Sequence, residues 1–235
     1  FDHYKAISNK IKKRLLKKPN YREASDEYGK LANALKNEEN PQYASLCFSA
    51  MAKCDQMMDD IPGEAEAWAN AGRQFFQAEE ILFLSRSASY EESLEAAVQC
   101  FSFAIQAQHK KGNNVMAAMF CLELGHWLKK LHKYHEAVGY FQKAADFQSE
   151  VLECQLHTLF EIASCKLLLR EHDSALGILS RVVRDTDGKG GALASLHRRC
   201  EITVVLLLLS LQFPRKYMKP EHTQLLDKYT RDLSI

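Results

Sequence analysis

Four alanines, Ala44, Ala97, Ala137 and Ala175, recur in one setting. Four residues after each stands a large side chain: Phe48, Phe101, Phe141 and Leu179. Seven after stand Met51, Ala104, Ala144 and Val182. Upstream, a small residue follows a bulky or helix-favouring run at Ala32, Gly72, Gly125 and Ala163. Spacings of three, four and seven place these side chains on one face of an α-helix. Each set therefore describes two helices that touch through small residues, with large ones filling the space between successive pairs.

This is the arrangement of tetratricopeptide units. The third is the clearest: Leu124, Gly125, Leu128, Ala137, Phe141 and Ala144 fill consensus positions 7, 8, 11, 20, 24 and 27. Tyr28, Leu31, Ala32, Leu35, Ala44, Phe48 and Met51 form the first unit. Leu159, Ile162, Ala163, Ala175, Leu179 and Val182 form the fourth, with Lys166 breaking its position 11. The second is split: Trp68, Ala71, Gly72 and Phe75 are separated from Ala97, Phe101 and Ala104 by thirteen extra residues around Leu82–Glu92. The alanines step by 53, 40 and 38 residues, against a consensus of about 34. The expected fold is an all-α, tetratricopeptide-like antiparallel solenoid of about four irregular repeats with flanking helices.

Breakers divide the chain accordingly. A basic helix is expected over Asp2–Leu16, ended at Lys18–Pro19–Asn20. Helices then follow at Tyr21–Glu39, Pro41–Asp60, Glu64–Ser85, Tyr90–Lys111, Val115–Leu131, Tyr134–Gln148, Val151–Arg170 and Ser174–Asp185. Ile61–Pro62–Gly63 reads as a terminator. Asp185–Gly191, with three glycines, is the one clear linker, followed by helices over Ala192–Gln212 and Glu221–Leu233. The whole is expected to be one helical-repeat domain: a basic helix over 1–18, a repeat stack over 21–185, and C-terminal helices over 192–235.

A net charge of +1 over 235 residues argues against nucleic acid as the main partner. The charge is nevertheless polarised. Residues 1–36 hold ten Lys and Arg against four Asp and Glu, and residues 37–186 hold thirteen against twenty-one. The seven cysteines form no CxxC motif and sit mostly in apolar helical patterns, which suits core packing in a reducing compartment. The apolar run Ile202–Leu211 is far short of the roughly 20 residues of a membrane span. The sequence opens at Phe1, so any targeting segment further upstream is expected to lie outside it.

No P-loop, dinucleotide fingerprint or nucleophile elbow is present, and no cysteine has a paired base in sequence. No catalytic, cofactor or metal site is expected. His126, His132 and His135 cluster, but the latter two fall at an inter-helix turn where polar residues belong. A carboxylate clamp for chaperone tails needs cations and asparagine at positions 5 and 9 of first helices. Position 5 holds Gly29, Ala69, Leu122 and Phe160; position 9 holds Asn33, Arg73, His126 and Ser164. That clamp is not expected.

Two features suggest partner binding instead. Lys10, Lys12, Lys13, Arg14, Lys17 and Lys18 place six cations within nine residues. A solvated face, docking on an acidic protein surface and a targeting or membrane patch all fit them. The helix carrying Ile202, Val205, Leu206 and Leu209 is apolar nearly all round, so a partner, further chain or this stack itself must cover it.

Particular wording points further. Ser8–Asn20 (SNKIKKRLLKKPN), Cys121–Gln148 (CLELGHWLKKLHKYHEAVGYFQKAADFQ), Ala163–Leu176 (ASCKLLLREHDSAL), Arg199–Leu209 (RCEITVVLLLL) and Pro220–Tyr229 (PEHTQLLDKY) resemble the family of the forty-kilodalton huntingtin-associated protein, in the same order and over most of the chain, as a divergent orthologue would. The resemblance implies a non-catalytic tetratricopeptide-like scaffold, with no cofactor. It would be held stably by huntingtin between that protein's HEAT-repeat domains and its bridge, and would link it to an early-endosomal Rab GTPase. The implied location is the cytoplasm, with early endosome and nucleus. A vesicle-fusion adaptor of the soluble NSF attachment type is the alternative. Members of the resembled family carry a Pro-rich insert before the RCE-type helix and a C-terminal extension; here only Asp185–Gly191 and a few residues stand at the first place.

Overall fold

The computed structural model describes residues 2–12, 19–212, 216 and 218–231. Among them are eleven helices and no strand: α1 (Asp2–Ile11), α2 (Tyr21–Asn37), α3 (Pro41–Met57), α4 (Ile61–Leu84), α5 (Glu92–Lys110), α6 (Asn114–Lys130), α7 (Tyr134–Phe147), α8 (Leu152–Leu168), α9 (His172–Thr186), α10 (Ala192–Ser210) and α11 (Pro220–Arg231). The chain forms two compact units, Phe1–Leu131 and His132–Ile235.

In the first unit each helix packs on the next, α1 on α2 through to α5 on α6. Three-residue turns at 38–40, 58–60 and 111–113 make the pairs antiparallel. In each turn the middle residue takes a left-handed backbone: Glu39 (φ 57°), Asp59 (φ 58°) and Gly112 (φ 78°). In the second and third of these turns the last residue caps the next helix through its side chain, while Asn40 in the first does not. Asp60 accepts from the Gly63 N–H at 3.2 Å, and Asn113 from the Met116 N–H at 3.3 Å. That cap explains why Ile61–Pro62–Gly63 begins α4 instead of ending α3: proline in the first turn loses no helical hydrogen bond.

The small residues lie where the repeat requires. Ala32, Ala44, Ala71, Ala97 and Ala104 are wholly buried, and Gly72 sits against the ring of Phe101. Phe76, not Phe75, is the fully buried aromatic of α4. It stacks on Trp127 at 5.4 Å between centroids and 4° between planes. α1 is held by Ile7 and by Tyr4 against Tyr28 at 5.3 Å.

In the second unit α7 packs on α8, α8 on α9, and α10 on both α9 and α11 with a lighter contact to α8. Ala137, Phe141, Ala144, Ala163, Ala175, Leu179 and Val182 are wholly buried. Lys166, the misfit in the fourth repeat, is paired to Glu171 at 2.6 Å. The glycine linker is short, with Gly188 and Gly191 at φ 68° and 66°.

Candidate partner-docking surface

α10 has two apolar faces and only one of them is covered. Leu196, Cys200, Val204 and Leu208, spaced by four, are buried. Across the helix, Ile202 is 43% exposed, Leu206 60% and Leu209 58%, with Val205 half-buried between the faces. Three neighbouring branched side chains in water along one helix are a departure from an ordinary solvated face, because such surface normally meets a partner.

The buried face contains one charge that sequence reasoning missed. Glu201 is 7% exposed. It accepts hydrogen bonds from Lys228 Nζ at 2.6 Å and Tyr229 Oη at 2.9 Å, with His197 Nε2 at 3.8 Å. Burial pushes its carboxyl up, but the bonds from Lys228 and Tyr229 outweigh that and hold it below the ordinary glutamate value. Reciprocally, the bond to Glu201 raises the Lys228 ammonium. These bonds fasten α11 to α10. At the other end of α11, buried His222 faces Ser180 Oγ at 2.9 Å. A cleft of about 340 Å³ opens there between α9, α10 and α11. The Ser180–His222 pair is not arranged for acyl transfer. Ser180 lies inside α9, whose N–H groups are used by the helix, so none is aimed at an oxyanion beside it. The nearest carboxylate, Glu221, approaches the same imidazole nitrogen that faces the serine, at 3.9 Å.

The basic cluster is placed only in part. Lys10 reaches Glu27 at 2.5 Å and Glu23 at 3.8 Å on α2, and the bond to Glu27 raises its pKa. It is thus engaged within the chain. Lys12 is exposed. Lys13, Arg14, Lys17 and Lys18 lie outside the described residues. The cluster belongs to the first unit and the α10 stripe to the second.

Arg73, the one cation at a clamp position, is also satisfied internally. Its Nε and Nη2 fork onto Glu123 at 2.6 and 2.8 Å, while Nη1 reaches Glu66 at 2.8 Å and Asn70 at 2.9 Å. The bond to Glu123 is the main cause of its raised pKa. The groove beside it, about 600 Å³, is lined by Met116, Met119, Phe120 and Trp127. His132 occupies a left-handed turn position (φ 61°), its ring at 2.5 Å from the Tyr134 hydroxyl. Among the described residues no group of three His, Cys, Asp or Glu could hold a metal, and no helix is long and apolar enough to cross a membrane. Burial pushes the thiols of Cys47, Cys54, Cys100 and Cys200 up to about 11, which disfavours the reactive thiolate.

With this geometry in hand, the relatives are informative. A family model described as "Soluble NSF attachment protein, SNAP" matches residues 16–189. The 40-kDa huntingtin-associated proteins of Rattus norvegicus and Mus musculus are each 31% identical over 284 residues, covering 97% of this chain and 74% of theirs. The chain belongs to the SNAP family, alongside the 40-kDa huntingtin-associated protein. Two readings that sequence reasoning held apart thus share one family. The match spans more residues than the 235 here, so those relatives hold stretches without a counterpart in this chain. Among solved structures, a Podosopora anserina chain of kinesin light chain type with nearly identical TPR-like repeats superposes with a TM-score of 0.53 at 12% identity. It covers 89% of this chain and 96% of that one. That likeness is one of fold, and it agrees with the all-α, tetratricopeptide-like architecture that the alanine spacing predicts.

Proposed function

We propose that this SNAP-family chain is a non-catalytic adaptor that docks stably on huntingtin, a HEAT-repeat protein, through the open face of α10. The observation that carries the reading is the stripe Ile202, Leu206 and Leu209, exposed on a helix whose opposite face is fully packed. Its relatives' name supplies the partner. A stable interface of this kind needs a large apolar contact, and the stripe is suited to be its core. Lys12 and the neighbouring cations of the N-terminal segment would add electrostatic docking. A link to an early-endosomal Rab GTPase, with a cytoplasmic and endosomal location, completes the reading.

Co-expression with huntingtin tests it. The wild-type chain is expected to co-purify as a salt-resistant complex, and Leu206→Glu with Leu209→Glu to abolish it while the free chain keeps its helicity. Equal capture of both would overturn the docking face, and no capture of either would overturn the partner.

The family model favours one second reading, a vesicle-fusion adaptor. Binding to an assembled SNARE four-helix bundle, unaffected by the α10 substitutions, would select it.

A further inference from the structure

The extra residues of the second repeat form a tip. α4, at 24 residues, is the longest helix among the described residues, and it ends in exposed Ile81, Phe83 and Leu84. A seven-residue connection, Ser85–Glu91, leads to α5, and Tyr90 within it is 91% exposed. Its three serines differ in how they are held. Ser85 donates its hydroxyl to the Leu82 carbonyl at 3.1 Å and faces Ser87 Oγ at 2.9 Å. The backbones of Ser85, Arg86 and Ser87 are tied to the end of α4 through the Ile81, Phe83 and Leu82 carbonyls, and Arg86 takes a left-handed backbone (φ 53°). Beyond them, Ala88, Ser89 and Tyr90 make no backbone–backbone hydrogen bond among the described residues. Ser89 Oγ has one contact, accepting from the Glu91 N–H at 2.9 Å.

A protein kinase holds its substrate as an extended strand, with the acceptor backbone free and flanking charges read by the cleft. Ser89 is the one serine of the three whose backbone makes no backbone hydrogen bond. Its side chain is half-buried where Ser85 and Ser87 are exposed, so the segment must swing out for a kinase to reach the hydroxyl. Arg86 stands three residues before it, is exposed, and forms no ion pair among the described residues. We propose that Ser89 is a phosphorylation site for a serine kinase that reads a basic residue three positions upstream. In the reaction Ser89 Oγ attacks the γ-phosphorus of ATP. An O–P bond forms, the bond to the β-phosphate oxygen breaks, ADP leaves, and the hydroxyl proton passes to the kinase's carboxylate base. The product adds a charge of about −1.5 to −2 at neutral pH to a tip whose exposed apolar side chains are Ile81, Phe83, Leu84 and Tyr90. That charge opposes burial of the tip against an apolar surface, a consequence that rests on the adaptor reading above, whereas the modification itself does not.

The test uses the full chain expressed in a eukaryotic host and, separately, treated with Mg-ATP and the catalytic subunit of a basophilic serine kinase. Tandem mass spectrometry is expected to place a single phosphoryl group on Ser89. Arg86→Ala should lower the rate of incorporation about tenfold, the loss of one charge-assisted bond, and Ser87→Ala should leave it unchanged. Phosphate on Ser85 or Ser87 instead, no phosphate from either source, or incorporation lowered by Glu92→Gln and not by Arg86→Ala overturns the assignment. Capture of the phosphorylated chain by huntingtin, compared with the unmodified one, is read independently, and a null result there leaves the mapped site standing.

Discussion

Phe101 occupies the place where Gly72 would carry a Cβ: the ring's Cδ2 lies 2.6 Å from that point and its Cε2 2.7 Å. The Ala97 carbonyl oxygen stands 3.3 Å from the same point. The Phe101 ring is itself fully buried beside Phe76 at 6.0 Å between centroids, which restricts how far it can yield. Gly72→Ala is therefore expected to cost about 1–3 kcal/mol by overpacking, although alanine is the better helix former. A chemical denaturation midpoint checks it. A gain in stability would mean that α4 and α5 can move apart.

The two faces of α10 predict opposite behaviour from neighbouring leucines. Leu208→Ala, on the packed face, is expected to lose about 2–5 kcal/mol. Leu206→Glu, on the open face, should change the stability of the free chain by no more than about 0.5 kcal/mol. Thermal melts of the two variants, run together, separate core from surface on one helix.

Four three-residue turns carry non-glycine residues in the left-handed region at their centres, Glu39, Asp59, His132 and Arg170, the last two at φ 61°. Replacing any of them with glycine is expected to stabilise the chain by about 1 kcal/mol, because the Cβ clash disappears. Melting temperature is the readout. A loss would show that the side chain makes a contact worth more than the relieved strain.

Asp55 is 3% exposed, and one of its oxygens, Oδ2, has no hydrogen-bond partner. Burial raises its pKa above the ordinary 3.8, against the hydrogen bond from Ser25 at 2.5 Å and with help from Asp60 and Asp26. A raised folded value means that the acid form is the one favoured by folding. Its stabilising contribution is full below about 3.8 and fades as pH rises through the folded value. Asp55→Asn should accordingly gain on the wild type as pH rises from 4 toward neutrality, measured by unfolding free energy at each pH. A flat difference would refute the sign.

His222 works the other way. Burial lowers its pKa below 6.5, with Glu221 opposing and Lys219 assisting. Its contribution is present above about 6.5 and is lost as pH falls through the folded value. Protection factors of the α11 amides, which divide out the intrinsic pH dependence of exchange, should fall on acidification, and His222→Gln should remove that fall.

Much of the fold was legible because periodicity is local. Ala32, Ala44, Gly72, Ala97, Ala137 and Ala175 announce helix contacts within a few tens of residues. Phe75 and Phe76 show the limit: adjacent aromatics differ by 100° around a helix, and only packing selects the inner one. Ile61–Pro62–Gly63 was misleading since proline stops one helix and starts another with equal ease, and the Asp60 cap decides between them. At the proposed docking surface, Ile202, Leu206 and Leu209 were visible as excess apolarity. Glu201 with Lys228 was not, because nothing in a charge pattern links residues 27 apart on different helices. Of the basic segment, Lys10 proved to serve α2, an internal use that no count of charges reveals.

The three-residue turns of the first unit have a mechanical corollary. Each leaves its two helices no spare chain, so a tensile load along the polypeptide passes straight into helix-packing contacts. Between α2 and α6, the seven-residue α4–α5 connection alone holds slack. Under force along that stretch it would straighten first, giving a short compliant extension before any of those helices is pulled away.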